Sequence, residues 1–197
     1  ISVPRNERLI VALDVADAAE ARALVEQLGD SVQFYKVGME LFMAGGYFEL
    51  IDWLGARGKK VFVDLKFFDV PETVRSAIRA LAKRNVAFAT IHGNQAIMEA
   101  AGKEKGNLKV LAVTALTSLD RGDLDDLGFN CDIEQLVLSR ARRALEAGCD
   151  GIIRSGSPAD SPGAWPAHYG GDARDSSGRE SRGGRPEAHS RCGSGVP

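Results

Sequence analysis

The sequence predicts an α/β protein built as a (β/α)8 barrel, the TIM-barrel architecture. It is carried here through about six βα units and followed by an irregular C-terminal tail. Three observations predict this. Apolar runs of strand length alternate with segments of helical periodicity up to about residue 156. The runs are continuous, as parallel strands covered on both faces are. Nearly every run ends in a polar residue, and the turn after the first run, "LDVADAAEA", lacks the glycine-rich fingerprint of an open doubly wound sheet.

The elements follow in order. "LIVALDV" (9–15) is the first strand. "DAAEARALVEQLG" (17–29) places Ala18, Ala21, Leu24, Val25 and Leu28 at helical spacing, with Asp17 as N-cap and Gly29 as stop. "QFYKVGM" (33–39) is the second strand, and "YFELIDWLGARG" (47–58) a helix closed by glycines. "KVFVDLKF" (60–67) is the third strand. "PETVRSAIRALAKR" (71–84) opens on a proline suited to a first helical turn and directs Val74, Ile78 and Leu81 inward. "AFATIHG" (87–93), "QAIMEAAGK" (95–103) and "LKVLAVTAL" (108–116) are strand, short helix and strand. The acidic "LDRGDLDDLGF" (119–129) reads as a loop, "DIEQLVLSRARRALEAG" (132–148) as a long amphipathic helix, and "GIIRSG" (151–156) as the sixth strand. Trp53 and Phe48 read as core or interface residues, and Arg140, Arg142 and Arg143 as a solvated helix face.

Composition narrows the function classes. A chain of 197 residues is enough for one domain with a sizeable core. A net charge of −2 argues against nucleic acid or a membrane surface as partner. No run of 18 apolar residues and no signal-like N-terminus is present, so a cytoplasmic protein is expected. Cys131, Cys149 and Cys192 contain no CxxC and read as reduced thiols, and His92, His168 and His189 are too scattered for a zinc site.

The charged residues concentrate at strand ends. Alternate residues of a strand share a face, so Asp64 and Lys66 are expected to project together into the barrel mouth. Lys36 ends the neighbouring strand, Asp14 ends the first, and Asp69 lies just past the third. Alternating carboxylates and ammoniums there can set a lysine against a developing carbanion and a carboxylate against a substrate anion. An ion-paired rim that only solubilises the mouth is the competing reading, and it weakens as five such residues fall at strand ends.

The segments "IVALDV", "YKVG", "DLKFFDVPETV", "IHG" and "VTALTS" occur in that order at strand ends. Over residues 8–153 they resemble the orotidine 5′-phosphate decarboxylase family, which makes UMP in pyrimidine synthesis. D-x-K-x-x-D alone is shared with magnesium-dependent sugar-phosphate decarboxylases and aldolases, the alternative reading; "VPETV" and "LTS" favour the orotidylate enzyme. The resemblance implies Lys66, Asp64 and Asp69 as catalytic residues. Lys66 would stabilise and protonate the C6 carbanion, and Asp64 would stand beside the departing carboxylate. Asp14 and Lys36 would bind the ribose hydroxyls, and Thr117 and Ser118 would lie by the pyrimidine edge. Asp69 and Thr73 would reach the partner subunit's site in a homodimer. His92 matches a family position, with a structural hydrogen-bonded histidine as the equal reading. The resemblance implies no metal and no cofactor.

The pattern breaks near Arg154. The segment from there on holds nine of the chain's 22 glycines and five of its 7 prolines, and Val196 is its one branched aliphatic. Such a composition buries too little apolar area to offset its ordering entropy, so a barrel portion at 1–156 and an irregular tail at 157–197 are expected. The "TPGIR", "DQ.R" and "GR.I" segments with which the family grips phosphate are not recognisable in it. A reading-frame shift near codon 154 accounts for such a break, and a divergent or truncated, inactive homologue is the alternative. Since remote phosphate binding supports catalysis at the pyrimidine, this polypeptide is expected to be weak or inactive.

Overall fold

The computed structural model describes residues 7–116 and 118–153. The residues expected to end the sixth strand (154–156), the tail expected at 157–197, and Thr117 lie outside them. The strands are β1 (Ile10–Ala12), β2 (Phe34–Gly38), β3 (Lys60–Phe67), β4 (Phe88–His92), β5 (Lys109–Val113) and β6 (Gly151–Ile153). The helices are α1 (Ala18–Leu28), α2 (Met39–Ala44), α3 (Tyr47–Ala56), α4 (Pro71–Leu81), α5 (Gln95–Glu104), α6 (Arg121–Asp126) and α7 (Ile133–Glu146).

All neighbouring strands pair in parallel, in the order β1-β2-β3-β4-β5-β6. A doubly wound sheet reverses its order part-way, and this one does not. Crossovers of one hand running in one direction put their helices on one face, as in a barrel wall, and α1, α3, α4, α5 and α7 all supply residues to the core there. Two apolar clusters mark the two faces. Tyr35, Val37, Val61, Val63, Ala89 and Ile91 pack outward with helical residues such as Val25, Leu50 and Ile78. Phe34, Phe62, Phe88 and Leu111 form a separate cluster on the other face. There the Phe34 and Phe88 rings stack at 5.4 Å, and Phe62 meets Phe88 edge-on at 6.0 Å.

Helix starts follow local chemistry. Asp17 caps α1 by accepting hydrogen bonds from the Ala19 and Glu20 N–H groups at 2.8 and 2.9 Å. Pro71 opens α4, whose Val74, Ile78 and Leu81 are buried as the spacing predicts. Two helices were not expected from the sequence. The six-residue α2 starts directly after β2 without a side-chain cap, so it carried no start signal. The acidic segment read as a loop contains α6, held by a reciprocal capping box between Asp120 and Asp123. An aspartate at the third helical position, where Glu or Gln is usual, concealed that box.

The end of the sheet at which β3 and β6 begin is stapled by charge. Lys59 is almost fully buried and donates to the Gly29 and Val32 carbonyls at 2.8 and 3.0 Å. Asp150 accepts from Lys105 at 2.6 Å and from the Val110 N–H at 2.9 Å, joining the starts of β5 and β6 to the end of α5. Trp53 packs against the core beneath Arg57. Phe48, expected in the core or an interface, is exposed on α3 with Arg84 over its ring, because its helical position turns it outward.

Candidate active site

The opposite ends of the strands carry the charged residues. Phe34 and Lys36 lie on one face of β2, as do Phe62 and Asp64 on β3 and Phe88 and Thr90 on β4. The polar trio therefore stands one layer above the phenylalanines, on a floor of low polarity.

Four side chains form a line of alternating charge. The Lys36 ammonium lies 3.3 Å from Asp14 Oδ1 and 3.7 Å from Asp64 Oδ2. The Lys66 ammonium donates to the same Asp64 Oδ2 at 2.9 Å. Asp64 is the most enclosed of the four, its side chain 13% exposed against 39% for Lys66. Its other oxygen accepts a hydrogen bond from the Thr90 hydroxyl at 2.8 Å. The field of Asp64 extends through the sheet: the Tyr47 phenol, which donates to the Val37 carbonyl, has a raised pKa, through burial first and this carboxylate second.

Asp64 and Lys66 do meet, but not along a regular strand. The β3–β4 register runs Val63 to Ala89 and then Phe67 to Ile91, so a bulge separates the two pairs. Lys66 adopts φ = +47°, a left-handed conformation that costs a non-glycine residue about 1–2 kcal/mol. Simple alternation predicted the right neighbours through a geometry the strand does not have.

The other expected residues sit apart. Asp69 is exposed and accepts from the Val70 N–H at 2.6 Å. Thr73 is exposed in the first turn of α4. Among the described residues no hydrogen bond or ion pair joins either one to the line of four. His92 faces Phe68 at 4.4 Å between ring centroids, and its Nδ1 lies 2.8 Å from Asn94 Oδ1. Ser118 is exposed. Arg140, expected on a solvated face, instead donates to the Thr114 carbonyl at 2.7 Å, and burial lowers its pKa. Helical spacing turns it inward toward the ends of β4 and β5, while Arg142 and Arg143 stay exposed. Thr90 was missed. Its shared strand parity with Phe88 and His92 was the available signal, but a threonine in a β-rich run reads as an ordinary strand former. Among the described residues no three His, Cys, Asp or Glu side chains are grouped to hold a metal, and no helix is long and apolar enough to cross a membrane.

The sequence model of the orotidine 5′-phosphate decarboxylase / HUMPS family matches residues 7–166. The chain belongs to this family. It is 67% identical over 154 residues to the orotidine 5′-phosphate decarboxylase of Methylococcus capsulatus, covering 78% of this chain and 64% of that protein. With the enzyme of Stenotrophomonas maltophilia it shares 50% over 156 residues, 78% of this chain and 65% of the relative. The chain thus spans a little under two thirds of the length of these curated relatives. Among solved structures, the orotidine 5′-phosphate decarboxylase of Lactobacillus acidophilus superposes with a TM-score of 0.70 at 36% identity, over 76% of this chain and 71% of that one. The Methanocaldococcus jannaschii enzyme, complexed with the inhibitor BMP, superposes with a TM-score of 0.62 at 25% identity, over 77% and 68%. The described residues thus form six parallel βα units with the fold of these barrels.

Proposed function

We propose that the rim site decarboxylates orotidine 5′-phosphate to UMP. The observation that carries this is the line Asp14–Lys36–Asp64–Lys66 above an apolar floor, in a member of the decarboxylase family. The C6–carboxylate bond breaks, CO2 departs and the electron pair stays on C6. The Lys66 ammonium gives its proton to C6 and regains one from water. Asp64 faces the carboxylate that leaves, so its charge opposes the ground state more than the transition state, in which that charge has spread. Lys66 faces the charge that develops, and a pre-positioned ion there is usually the largest catalytic contribution. Asp14 and Lys36 hold the ribose hydroxyls, and Ser118, together with Thr117 outside the described residues, is assigned to the pyrimidine edge.

The working unit in this reading is a homodimer in which Asp69 and Thr73 complete the partner's site. Their exposure and separation from the line support it, as do the exposed Met39, Phe42, Met43, Phe68 and Val70 at the same rim. The unpaired Cys131 and Cys149 support a reducing, cytoplasmic location. The 197 residues by themselves are expected to turn over slowly, because the phosphate-gripping segments of the family are not recognisable among them. Orotidylate loss followed by ultraviolet absorbance tests both statements. Turnover equal to that of the Methylococcus capsulatus relative overturns the second, and absence of both turnover and UMP binding overturns the first.

A further inference from the structure

We propose that Thr90 is a positioning residue that fixes both Asp64 and Lys66 for the reaction. Between the register pairs Val63–Ala89 and Phe67–Ile91, residues 64, 65 and 66 of β3 face the single residue Thr90 of β4. A regular ladder cannot pair the Lys66 N–H across such a mismatch. The Thr90 hydroxyl takes that place: it accepts from the Lys66 backbone N–H at 2.9 Å and donates its own proton to Asp64 Oδ1 at 2.8 Å. Thr90 is completely buried, so water does not substitute for it. The hydroxyl therefore holds the backbone of Lys66 in its left-handed conformation, and it turns the Asp64 carboxylate so that the other oxygen meets both lysines. A hydroxyl has one proton to give and lone pairs to accept with, and both capacities are used here. Valine has the same shape and neither capacity.

The catalytic meaning of this role rests on the decarboxylase reading above, while its geometric content does not. The test compares Thr90→Val, Thr90→Ser and the parent chain in three measurements: thermal unfolding, amide hydrogen exchange at Lys66, and kcat with KM for orotidylate. We expect Thr90→Val to fold, to lose protection at the Lys66 amide, and to lose kcat by about 10- to 100-fold, the worth of a hydrogen bond to a charged group. KM should stay within about threefold, and Thr90→Ser should keep both the protection and kcat within about threefold. A purely structural threonine would lower the melting temperature and leave kcat of the folded fraction unchanged. That outcome overturns the proposal, as does a Lys66 amide equally protected in Thr90→Val. If Thr90→Val does not fold, slow exchange at Lys66 in both the parent and Thr90→Ser supports the proposal, and fast exchange in either overturns it. A parent chain with neither turnover nor UMP binding removes the decarboxylase reading, and wherever the parent shows no turnover the exchange measurement decides.

Discussion

Replacing Asp64 with asparagine removes the carboxylate that stands between two ammonium groups. Lys66 lies 2.9 Å and Lys36 3.7 Å from the same oxygen. At an effective dielectric constant of about 20, unit charges at these separations attract by roughly 4–6 kcal/mol each. Most of that gain is offset by the desolvation of the partners and, on the more exposed Lys66, by water screening. What remains is a net loss of about 2–3 kcal/mol for Asp64→Asn, near the lower bound for breaking a buried pair. In a chain of this size each kcal/mol moves the melting temperature by about 2–4 °C, so a fall of roughly 4–12 °C is expected. The assay is thermal unfolding by circular dichroism of Asp64→Asn, Lys66→Met and the double variant. The double variant should recover part of the loss, because neutralising Lys66 removes one of the two stranded cations. Orotidylate turnover should fall by more than about 100-fold in Asp64→Asn. An Asp64→Asn protein that melts with or above the parent would refute the reasoning, since Asp64 would then be a strained anion rather than the centre that neutralises the rim.

Two further predictions concern the stapled end of the sheet. Burial alone would raise the Asp150 carboxyl, but the hydrogen bonds from Lys105 and the Val110 N–H outweigh it and the pKa is lowered. A lowered folded-state pKa contributes stability above the unfolded value near 4 and loses it as pH falls through the folded value. Asp150→Asn should therefore cost roughly 2 kcal/mol at neutral pH, with the gap to the parent closing below about pH 4 in melting curves; a gap independent of pH contradicts this. Burial pushes the Cys149 thiol up to about 11, with Asp150 adding to the rise and Lys105 opposing it. The protonated thiol suits the fold, so this contribution is intact below the unfolded pKa and fades as pH rises through about 11. At pH 8, iodoacetamide should label the half-buried Cys131 well before Cys149, as read by peptide mass mapping; equal rates would mean that Cys149 is accessible.

The barrel wall was legible in the sequence because the central strands β2 to β5 bury much of both faces and the longer helices one. Continuous runs such as "VLAV" and the spacing of Val74, Ile78 and Leu81 record that burial directly. Strand order followed from the repeat of βα units. The site residues were legible as types at strand ends, which is why Asp14, Lys36, Asp64 and Lys66 could be grouped before any geometry was known. The bulge was not legible, because nothing in "VDLKF" distinguishes a regular strand from one whose lysine turns left-handed. Thr90 was hidden for the same reason, since its role exists only opposite the bulge. Arg140 was misread because three arginines in one helix look like a solvated stripe until the carbonyl of Thr114 gives one of them a partner.

The line of four sums to no net formal charge, and its members are not equally held. Asp64 is the enclosed member, gripped by the Thr90 hydroxyl and set over the phenylalanine layer. Lys66 is three times as exposed, and its ammonium is held by Asp64 at the end of a flexible stem. In the proposed decarboxylation, an incoming carboxylate would meet an enclosed anion and a more exposed cation. To reach C6, Lys66 would share or leave its bond to Asp64, stripping that carboxylate of part of its compensation as the substrate's own charge arrives. Departure of CO2 would remove that like-charge contact, and protonation of C6 would consume the cation's proton. The bulge matters here because it fixes the lysine backbone through Thr90, from which the side chain reaches Asp64. Thr90→Val and Asp64→Asn thus perturb one device from its two ends: the first loosens the anchored anion, and the second removes it.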